Sequence, residues 1–320
     1  MRRTAVVGLV TIGLFSLGCS NGDDTDAPAP AGEPEPSTTT MDPETTTTEL
    51  DDGDGTFTVT TETFTDDSRP TSESIPQRSL PTDIYVPGGD GPFPLIMHAH
   101  GMDGTSAKFS ELLSKWAEAG YIVVAPNFPR TNGDADPALR DVGDYLNQPG
   151  DVTYVLDQVL AMNEPGGAIE GKIATDHMGI SGLSLGGATT YPLLYNSCCQ
   201  DDRYVSGILM SALELPFDPD VYDYSRRIPI LVFAGTADAA IPYEMQQDIV
   251  AKIAGPKWSV TLIDGQHSQP FENNPAPQDQ IVFDSTLDFW ALTLRDDPGA
   301  ADRLLADIDV EGETTVEVTP

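Results

Sequence analysis

Short apolar runs alternate with helical patterns along most of this chain, from about residue 57 onward. Runs of consecutive aliphatic residues are typical of strands buried on both faces, whereas large apolar residues spaced three or four apart are typical of amphipathic helices. The first run, 56–65, instead alternates apolar and polar residues, which indicates an edge strand. The pattern predicts strands over 56–65, 83–86, 94–99, 122–125, 177–181, 205–210, 230–234 and 258–263, and helices over 106–119, 151–162, 188–194, 243–253 and 280–294.

Buried strands that alternate with helices predict an α/β fold, with a mostly parallel central sheet and helices on both of its faces. Ligands of such folds bind beyond the carboxyl ends of the strands, so the functional side chains are expected in the loops that follow strands. The connection over 211–229 is too short to hold a helical cap. We therefore expect no large cap domain and an open cleft.

Both ends of the chain are acidic and poor in large apolar residues. Residues 20–68 contain fourteen Asp or Glu and no Lys or Arg, and residues 296–320 contain eight acids against Arg303. Such segments bury too little apolar surface to offset the entropy of ordering. The composition predicts a disordered acidic Thr/Pro-rich tether over 20–55, a folded domain over 56–295 and a flexible acidic tail over 296–320.

The first nineteen residues have the pattern of an export signal. Arg2 and Arg3 precede an apolar run over 5–17 that is too short to span a bilayer. Ser16-Leu17-Gly18-Cys19 resembles a bacterial lipobox, although Ser16 stands where a large aliphatic residue is usual. Cys19 is therefore the candidate for lipidation. We expect an exported protein, either a lipoprotein anchored to the membrane by its N-terminal lipid or a secreted protein.

The formal net charge of the chain is −35, and residues 69–295 contain 29 acids and 13 bases. An acidic surface argues against binding to nucleic acids or to anionic membranes, since both are polyanions. It is typical of a solvated coat suited to a saline habitat, and a cationic substrate is the alternative interpretation. We expect a monomer.

Cysteine usage indicates neither a metal site nor a disulfide framework. If Cys19 carries a lipid, the adjacent pair Cys198 and Cys199 remains. In an oxidising compartment this pair can form a vicinal disulfide, and two buried thiols are the alternative.

A Gly-x-Ser-x-Gly motif, Gly182-Leu183-Ser184-Leu185-Gly186, lies between a predicted strand and a predicted helix. In this context the motif forms a nucleophile elbow, a sharp turn that exposes the serine hydroxyl at the edge of the sheet. Glycines are needed because the turn brings neighbouring backbone segments very close together. Ser184 is therefore the predicted nucleophile.

A nucleophilic serine needs a base and an acid that orients the base, and with this elbow they follow in the order Ser, Asp, His. Asp238 follows the strand 230–234, and His267 follows the strand 258–263. Asp264 is the rival acid, but it lies too close to His267 in sequence for the usual arrangement. His98 and His100 lie before the nucleophile in the chain, and His177 begins a strand, where we expect a structural histidine.

An oxyanion hole needs two backbone N–H donors. One is expected from Leu185, which follows the nucleophile, and the other from Met102 in the loop after the strand 94–99. His100 and Gly101 begin this loop. We expect His100 to brace the loop through the hydrogen bonds of its ring.

Over roughly residues 84–294 the chain resembles one branch of the α/β-hydrolase superfamily, which holds dienelactone hydrolases, platelet-activating-factor acetylhydrolase-like enzymes, chlorophyllase-like proteins and bacterial cutinases. The resemblance rests on Gly91-Pro92-Phe93-Pro94-Leu95-Ile96, His100-Gly101, Asn147-Gln148-Pro149-Gly150-Asp151, Gly182-Leu183-Ser184-Leu185-Gly186-Gly187, Cys198-Cys199 and Gly265-Gln266-His267. It implies hydrolysis of carboxylic esters without a cofactor. It also implies a Ser184, Asp238 and His267 triad with Met102 and Leu185 as oxyanion donors.

These observations together predict an extracellular serine hydrolase that cleaves carboxylic esters, polymeric or lipid-like ones included, through an acyl-enzyme. A polyester or cutin depolymerase is the alternative among esterases, and a different reaction on the same fold, such as that of a peptidase or an acyltransferase, stays open. Bacterial cutinases usually place His or Trp before the serine and Met after it, whereas this chain has Leu183 and Leu185. A binding protein with a degenerate hydrolase fold is the alternative outside enzymes.

Overall fold

The computed structural model of the protein describes residues 50–320. The predicted signal peptide, the lipidation candidate Cys19 and most of the predicted tether lie outside the described residues. Within residues 50–320, no helix is long and apolar enough to cross a membrane.

A single sheet holds the nine strands of the described residues, in the spatial order β1-β2-β4-β3-β5-β6-β7-β8-β9. The six strands from β3 to β8 run parallel to one another, and β1, β2 and β9 form antiparallel edges. The strands are β1 (Phe57–Asp66), β2 (Arg78–Pro87), β3 (Phe93–Ala99), β4 (Ile122–Pro126), β5 (Ile173–Leu183), β6 (Tyr204–Met210), β7 (Ile230–Gly235), β8 (Lys257–Leu262) and β9 (Thr314–Thr319).

Six α-helices of the described chain cover the two faces of this sheet. One face packs against α2, α3 and α4, and the other packs against α1, α5 and α6. In β3 the side chains of Leu95 and Met97 enter the first of these cores and Ile96 enters the second, as the pleat of a strand requires. The helices are α1 (Ser110–Glu118), α2 (Gln148–Asn163), α3 (Leu185–Tyr195), α4 (Tyr243–Val250), α5 (Asp279–Leu294) and α6 (Ala300–Ile308), with 3₁₀ turns over Ser106–Phe109 and Val142–Asn147.

This architecture confirms the predicted α/β fold with a mostly parallel sheet between two helical layers. Between Met210 and Ile230 the structure contains no helix, which agrees with the expected lack of a large cap. The carboxyl ends of the parallel strands lie along one edge of the sheet, because the six strands run in the same direction. The residue after a strand can extend this pairing by donating its N–H to the neighbouring strand. Ser184 donates to the Met210 carbonyl at 2.9 Å and Thr236 donates to the Leu262 carbonyl at 3.0 Å.

The predicted flexible tail over 296–320 is wrong, because this segment forms helix α6 and edge strand β9. Ala300, Leu304 and Ile308 follow one another at four-residue spacing and are fully buried. Strand β9 pairs with the whole length of β8. Asp302 and Asp309 are exposed and Asp307 is half-buried, so an acidic composition is compatible with a buried apolar stripe.

The predicted boundary of the tether at residue 55 is also wrong, because residues 51–55 pack on the folded domain. The Asp51 carboxylate accepts hydrogen bonds from the N–H groups of Gly53 at 2.8 Å and of Gly91 at 2.9 Å. Arg295 donates to the Asp51 carbonyl and pairs with the Asp52 carboxylate. The folded domain therefore includes residues 51–55 and continues to the end of β9.

Candidate active site

Ser184 occupies the sharp turn between β5 and α3, with a left-handed φ of 55° that non-glycine residues rarely adopt. The flanking glycines are required by space. A Cβ atom on Gly182 would lie 2.3 Å from the Gly186 carbonyl oxygen, and one on Gly186 would lie 1.9 Å from the Ala99 carbonyl oxygen. The turn therefore has the geometry of a nucleophile elbow, with the half-buried Ser184 at the carboxyl edge of the sheet.

Asp238 and His267 follow β7 and β8, and their side chains are hydrogen-bonded. The His267 Nδ1 atom lies 2.8 Å from Asp238 Oδ2, so in the neutral ring Nδ1–H donates to the carboxylate and Nε2 is left as an acceptor. The Asp238 side chain is fully buried, whereas the His267 ring is 23% exposed. This pair can hold a histidine base in one tautomer.

Three further donors fix the Asp238 carboxylate. Asp238 Oδ1 accepts the N–H groups of Ala240 and Ile241, each at 2.8 Å, and Oδ2 accepts Nε2 of Gln246 at 3.1 Å. Gln246 is buried in the first turns of α4. Sequence reasoning missed Gln246. Its position in the first turns of the helix that follows the Asp238 loop is the only signal that could have indicated it.

The rival acid Asp264 does not contact His267. It is exposed, and its own N–H donates to the Thr236 hydroxyl at 2.8 Å. Within residues 50–320, no hydrogen bond joins Ser184 to His267. Contacts of this kind commonly tighten only when a substrate binds.

The loop after β3 places backbone N–H groups beside the nucleophile. A Cβ atom on Gly101 would lie 3.1 Å from the Cβ atom of Ser184, so a side chain at this position would push the two segments apart by a few tenths of an ångström. In the described part of the chain, the N–H groups of Met102 and Leu185 donate to no other backbone group. Leu185 is the first residue of α3, where the helix dipole adds positive potential. Both N–H groups are therefore candidate oxyanion donors.

His100 uses both nitrogens of its buried ring to connect this loop to the loop after β4. Nε2 accepts the Phe128 N–H at 3.0 Å, which leaves Nδ1–H to donate to the Gly101 carbonyl at 2.7 Å. Burial lowers the pKa of His100 to about 4, so its ring is neutral near pH 7. These contacts are those of a brace, and they leave neither nitrogen for proton transfer.

The remaining buried histidine near the site, His98, lies one layer below the loop. Its Nδ1 lies 2.9 Å from the Ser181 hydroxyl, and its ring packs 4.4 Å from the Phe109 ring between centroids. Burial lowers the pKa of His98 to about 3. This histidine belongs to the core rather than to the site.

Cys198 and Cys199 are joined in a vicinal disulfide in the loop after α3. This loop is held by the Asn196 side chain, which accepts the Cys198 N–H at 3.0 Å. Across residues 50–320, no group of three or more His, Cys, Asp or Glu side chains is arranged to hold a metal ion.

A parallel sheet whose carboxyl edge carries a serine elbow and an Asp–His pair, in that chain order, is characteristic of the α/β-hydrolases. Residues 47–219 match the family model described as Chlorophyllase, which covers more than half of the chain. The chain therefore belongs to the chlorophyllase family and is a hydrolase of the α/β-hydrolase type. This confirms the resemblance to the chlorophyllase-like branch. Among curated proteins, none matches the chain.

The family match includes the elbow with Ser184 and the loop with His100 and Met102. It ends before β7, so Asp238 and His267 lie outside it. The roles of these two residues therefore rest on their geometry and on their place in the chain.

Proposed function

We propose that this protein is an exported serine esterase that hydrolyses carboxylic esters through an acyl-enzyme. The observation that carries the proposal is the 2.8 Å hydrogen bond between His267 and the buried Asp238, on the same edge of the sheet as the Ser184 elbow. A histidine held by a buried carboxylate, on the same edge of the sheet as the serine turn, is the arrangement that acyl transfer needs.

In the proposed reaction, Ser184 Oγ attacks the ester carbonyl and its proton passes to His267 Nε2. The Met102 and Leu185 N–H groups stabilise the negative charge that develops on the carbonyl oxygen. Asp238 stabilises the imidazolium without taking its proton. The tetrahedral intermediate then expels the alcohol, which takes the proton from His267, and the acyl group remains on Ser184.

Water completes the cycle by the same steps in reverse order. His267 Nε2 removes a proton from the water while it attacks the acyl carbon, and the N–H pair again stabilises the oxyanion. The collapse of the second intermediate returns the proton to Ser184 Oγ and releases the carboxylic acid. No step requires a metal or an organic cofactor.

The surroundings of the site favour bulky apolar esters as substrates. The loops and first helical turns after the parallel strands expose several large apolar side chains, among them Met102, Leu146 and Met245. The segment over 211–229 lacks a helix that could cover them. Exposed apolar side chains in these loops and turns suit long-chain, lipid-like or polymeric esters better than small polar ones.

The vicinal disulfide supports the exported part of the proposal, because disulfides persist in oxidising compartments and are rare in the cytosol. The proposal of a lipid at Cys19 rests on the sequence of residues 16–19 alone. Labelled fatty acid that attaches to the full-length protein in its host and is lost in Cys19→Ala would support it. Label that survives the substitution would contradict it.

The Ser184→Ala variant tests the nucleophile. We expect a loss of about a million-fold in kcat for a p-nitrophenyl ester with an unchanged melting temperature, because triad residues act as a unit. The matched control is Ser211→Ala, since this buried serine at the same edge makes no side-chain hydrogen bond. Activity of Ser184→Ala above about a thousandth of wild type would refute the assignment.

Two further measurements separate the alternatives. A fluorophosphonate probe should label the wild-type protein and not Ser184→Ala, and a wild-type protein that resists the probe would favour the binding-protein alternative. A panel of p-nitrophenyl esters of increasing chain length, a polyester film and chlorophyll would then define the ester. Release of soluble acid from the film would favour the depolymerase alternative.

A further inference from the structure

Gln148, the first residue of α2, is fully buried and links two segments that flank the nucleophile. Its Nε2 donates to the Thr131 hydroxyl at 2.6 Å, and its Oε1 accepts the Thr189 hydroxyl at 2.5 Å. Both partners are themselves fully buried. A buried amide with both ends satisfied is held in one orientation, because each unmade hydrogen bond would leave a desolvated polar group.

The Thr131 end of this bridge reaches the loop after β3, which carries Met102. The Thr131 carbonyl accepts the N–H of Asp103 at 2.8 Å, and Asp103 directly follows Met102. Asp103 has a left-handed φ of 58°, so the loop makes a tight turn at this residue. The hydrogen bond thereby limits how far the Met102 peptide can rotate.

The Thr189 end reaches the other oxyanion donor. The Thr189 hydroxyl also lies 3.1 Å from the Leu185 carbonyl in the first turn of α3. The Leu185 N–H is the second proposed oxyanion donor. Each donor is thus followed in the chain by a peptide group that is linked to Gln148. Thr131 links the peptide after Met102, and Thr189 links the peptide after Leu185.

Gln148 is held in place by a buried ion network. Arg78 of β2 makes two hydrogen bonds to the Asp151 carboxylate, both at 2.6 Å. It also makes two to the Asp144 carboxylate, at 2.8 and 3.0 Å. Asp144 precedes Gln148 and Asp151 follows it, and all three charged side chains are fully buried. The backbone that carries the Gln148 side chain is therefore held in place on both sides of this residue.

We propose that Gln148 is a positioning residue that sets the spacing between the two oxyanion donors, Met102 N–H and Leu185 N–H. The inference rests on the proposed esterase function, since it assigns these two N–H groups to the oxyanion. The donors stabilise the tetrahedral intermediate far more than the planar ester. Loss of the bridge should therefore reduce kcat and leave KM nearly unchanged.

The Gln148→Met variant removes both hydrogen bonds at nearly constant side-chain volume. We expect kcat for a p-nitrophenyl ester to fall about ten-fold or more, a smaller loss than removal of an oxyanion donor itself causes. KM should change less than about two-fold, because the planar ester gains little from the donors. Phenylboronic acid, which forms a tetrahedral adduct on the serine, should bind weaker by the same factor as kcat/KM falls.

The control is Thr286→Val, which removes a buried hydrogen bond from Trp116 Nε1 on the opposite face of the sheet. It should lower the melting temperature and leave kcat and boronate affinity unchanged. Thr131→Val should lower kcat as Gln148→Met does, and Thr131→Ser, which keeps the hydroxyl, should restore it. In the double variant of Gln148→Met and Thr131→Val the losses should not add, because both break one bridge.

A Gln148→Met enzyme with kcat within two-fold of wild type would overturn the inference. A Thr286→Val enzyme that loses kcat by the same factor as Gln148→Met would also overturn it. If Gln148→Met does not fold, Thr131→Val and Thr131→Ser decide by the same criteria. The proposed function fails separately, through activity retained in Ser184→Ala. Its failure is thus distinguishable from failure of the positioning role.

Discussion

Acid should destabilise this protein through two buried histidines that take up protons only when the chain unfolds. Desolvation lowers the pKa of His98 to about 3 and that of His100 to about 4, below the value of about 6.5 expected in an unfolded chain. Because the folded pKa is the lower one, the unfolded state binds more protons below about pH 6.5. The free energy of unfolding therefore falls as the pH decreases from about 6.5 towards 4 and 3.

The size of this effect follows from linkage. At pH 4 each histidine should cost about 3 kcal/mol of stability relative to pH 8. His98→Gln isolates one of them, because the glutamine side chain does not titrate. We expect the loss of unfolding free energy between pH 8 and pH 4 to be smaller in His98→Gln than in wild type by about 3 kcal/mol.

Urea unfolding at several pH values, followed by tryptophan fluorescence, measures this difference. Comparison of each protein with itself at pH 8 removes the cost of the substitution to packing. Carboxylates that titrate near pH 4 contribute equally to both proteins and cancel. An identical pH dependence in wild type and His98→Gln would refute the argument, since it would mean that His98 takes up its proton equally in both states.

The remaining predictions concern the elbow, the chain ends and the surface charge. Gly186→Ala should abolish ester hydrolysis and lower the free energy of unfolding by about 3 kcal/mol or more, because its Cβ would lie 1.9 Å from the Ala99 carbonyl oxygen. The control is Gly299→Ala, whose Cβ would have no neighbouring atom nearer than 3.2 Å. It should lower the free energy of unfolding by less than about 1 kcal/mol in the same urea titration. A chain of residues 50–320 should be fully active. A chain of residues 50–295 should melt at a lower temperature or fail to fold, since it lacks α6 and β9. Equal melting curves of the two chains by circular dichroism would contradict this. Residues 50–320 contain 43 acids and 14 bases, so 1 M sodium chloride should raise the melting temperature by screening their repulsion. A melting temperature that falls steadily with salt would show that ion pairs outweigh the repulsion.

Much of the fold and the order of the site residues could be predicted because their signals are local. A run such as 94–99 is recognisable as a buried strand from its own residues, and the elbow around Ser184 needs only its five-residue motif between a strand and a helix. Asp238 and His267 were then indicated by chain order and by their positions directly after strands. The structure places all three at the carboxyl edge, with Asp238 and His267 in contact.

The rest depended on contacts between distant segments or on patterns that average composition hides. Gln148 lies 17 residues from Thr131 and 41 from Thr189, and no local pattern indicates that one amide reaches both. In the C-terminal segment the acids dominate the composition and mask the spacing of Leu304 and Ile308. The entropy argument against order there failed, because β8 offers an unpaired edge whose backbone groups β9 satisfies.

The antiparallel strands at the two edges of the sheet also determine where the chain leaves the folded domain. Thr319 of β9 pairs with Lys257 at the start of β8. Phe57 of β1 pairs with Pro87 at the end of β2, and this end of β2 lies next to the start of β4. Both lie at the amino ends of the parallel strands, whereas Ser184 lies beyond the carboxyl ends. Immobilisation through a tag at either end of a 50–320 chain would therefore orient the carboxyl ends of the parallel strands, and with them Ser184, away from the support and towards an insoluble substrate.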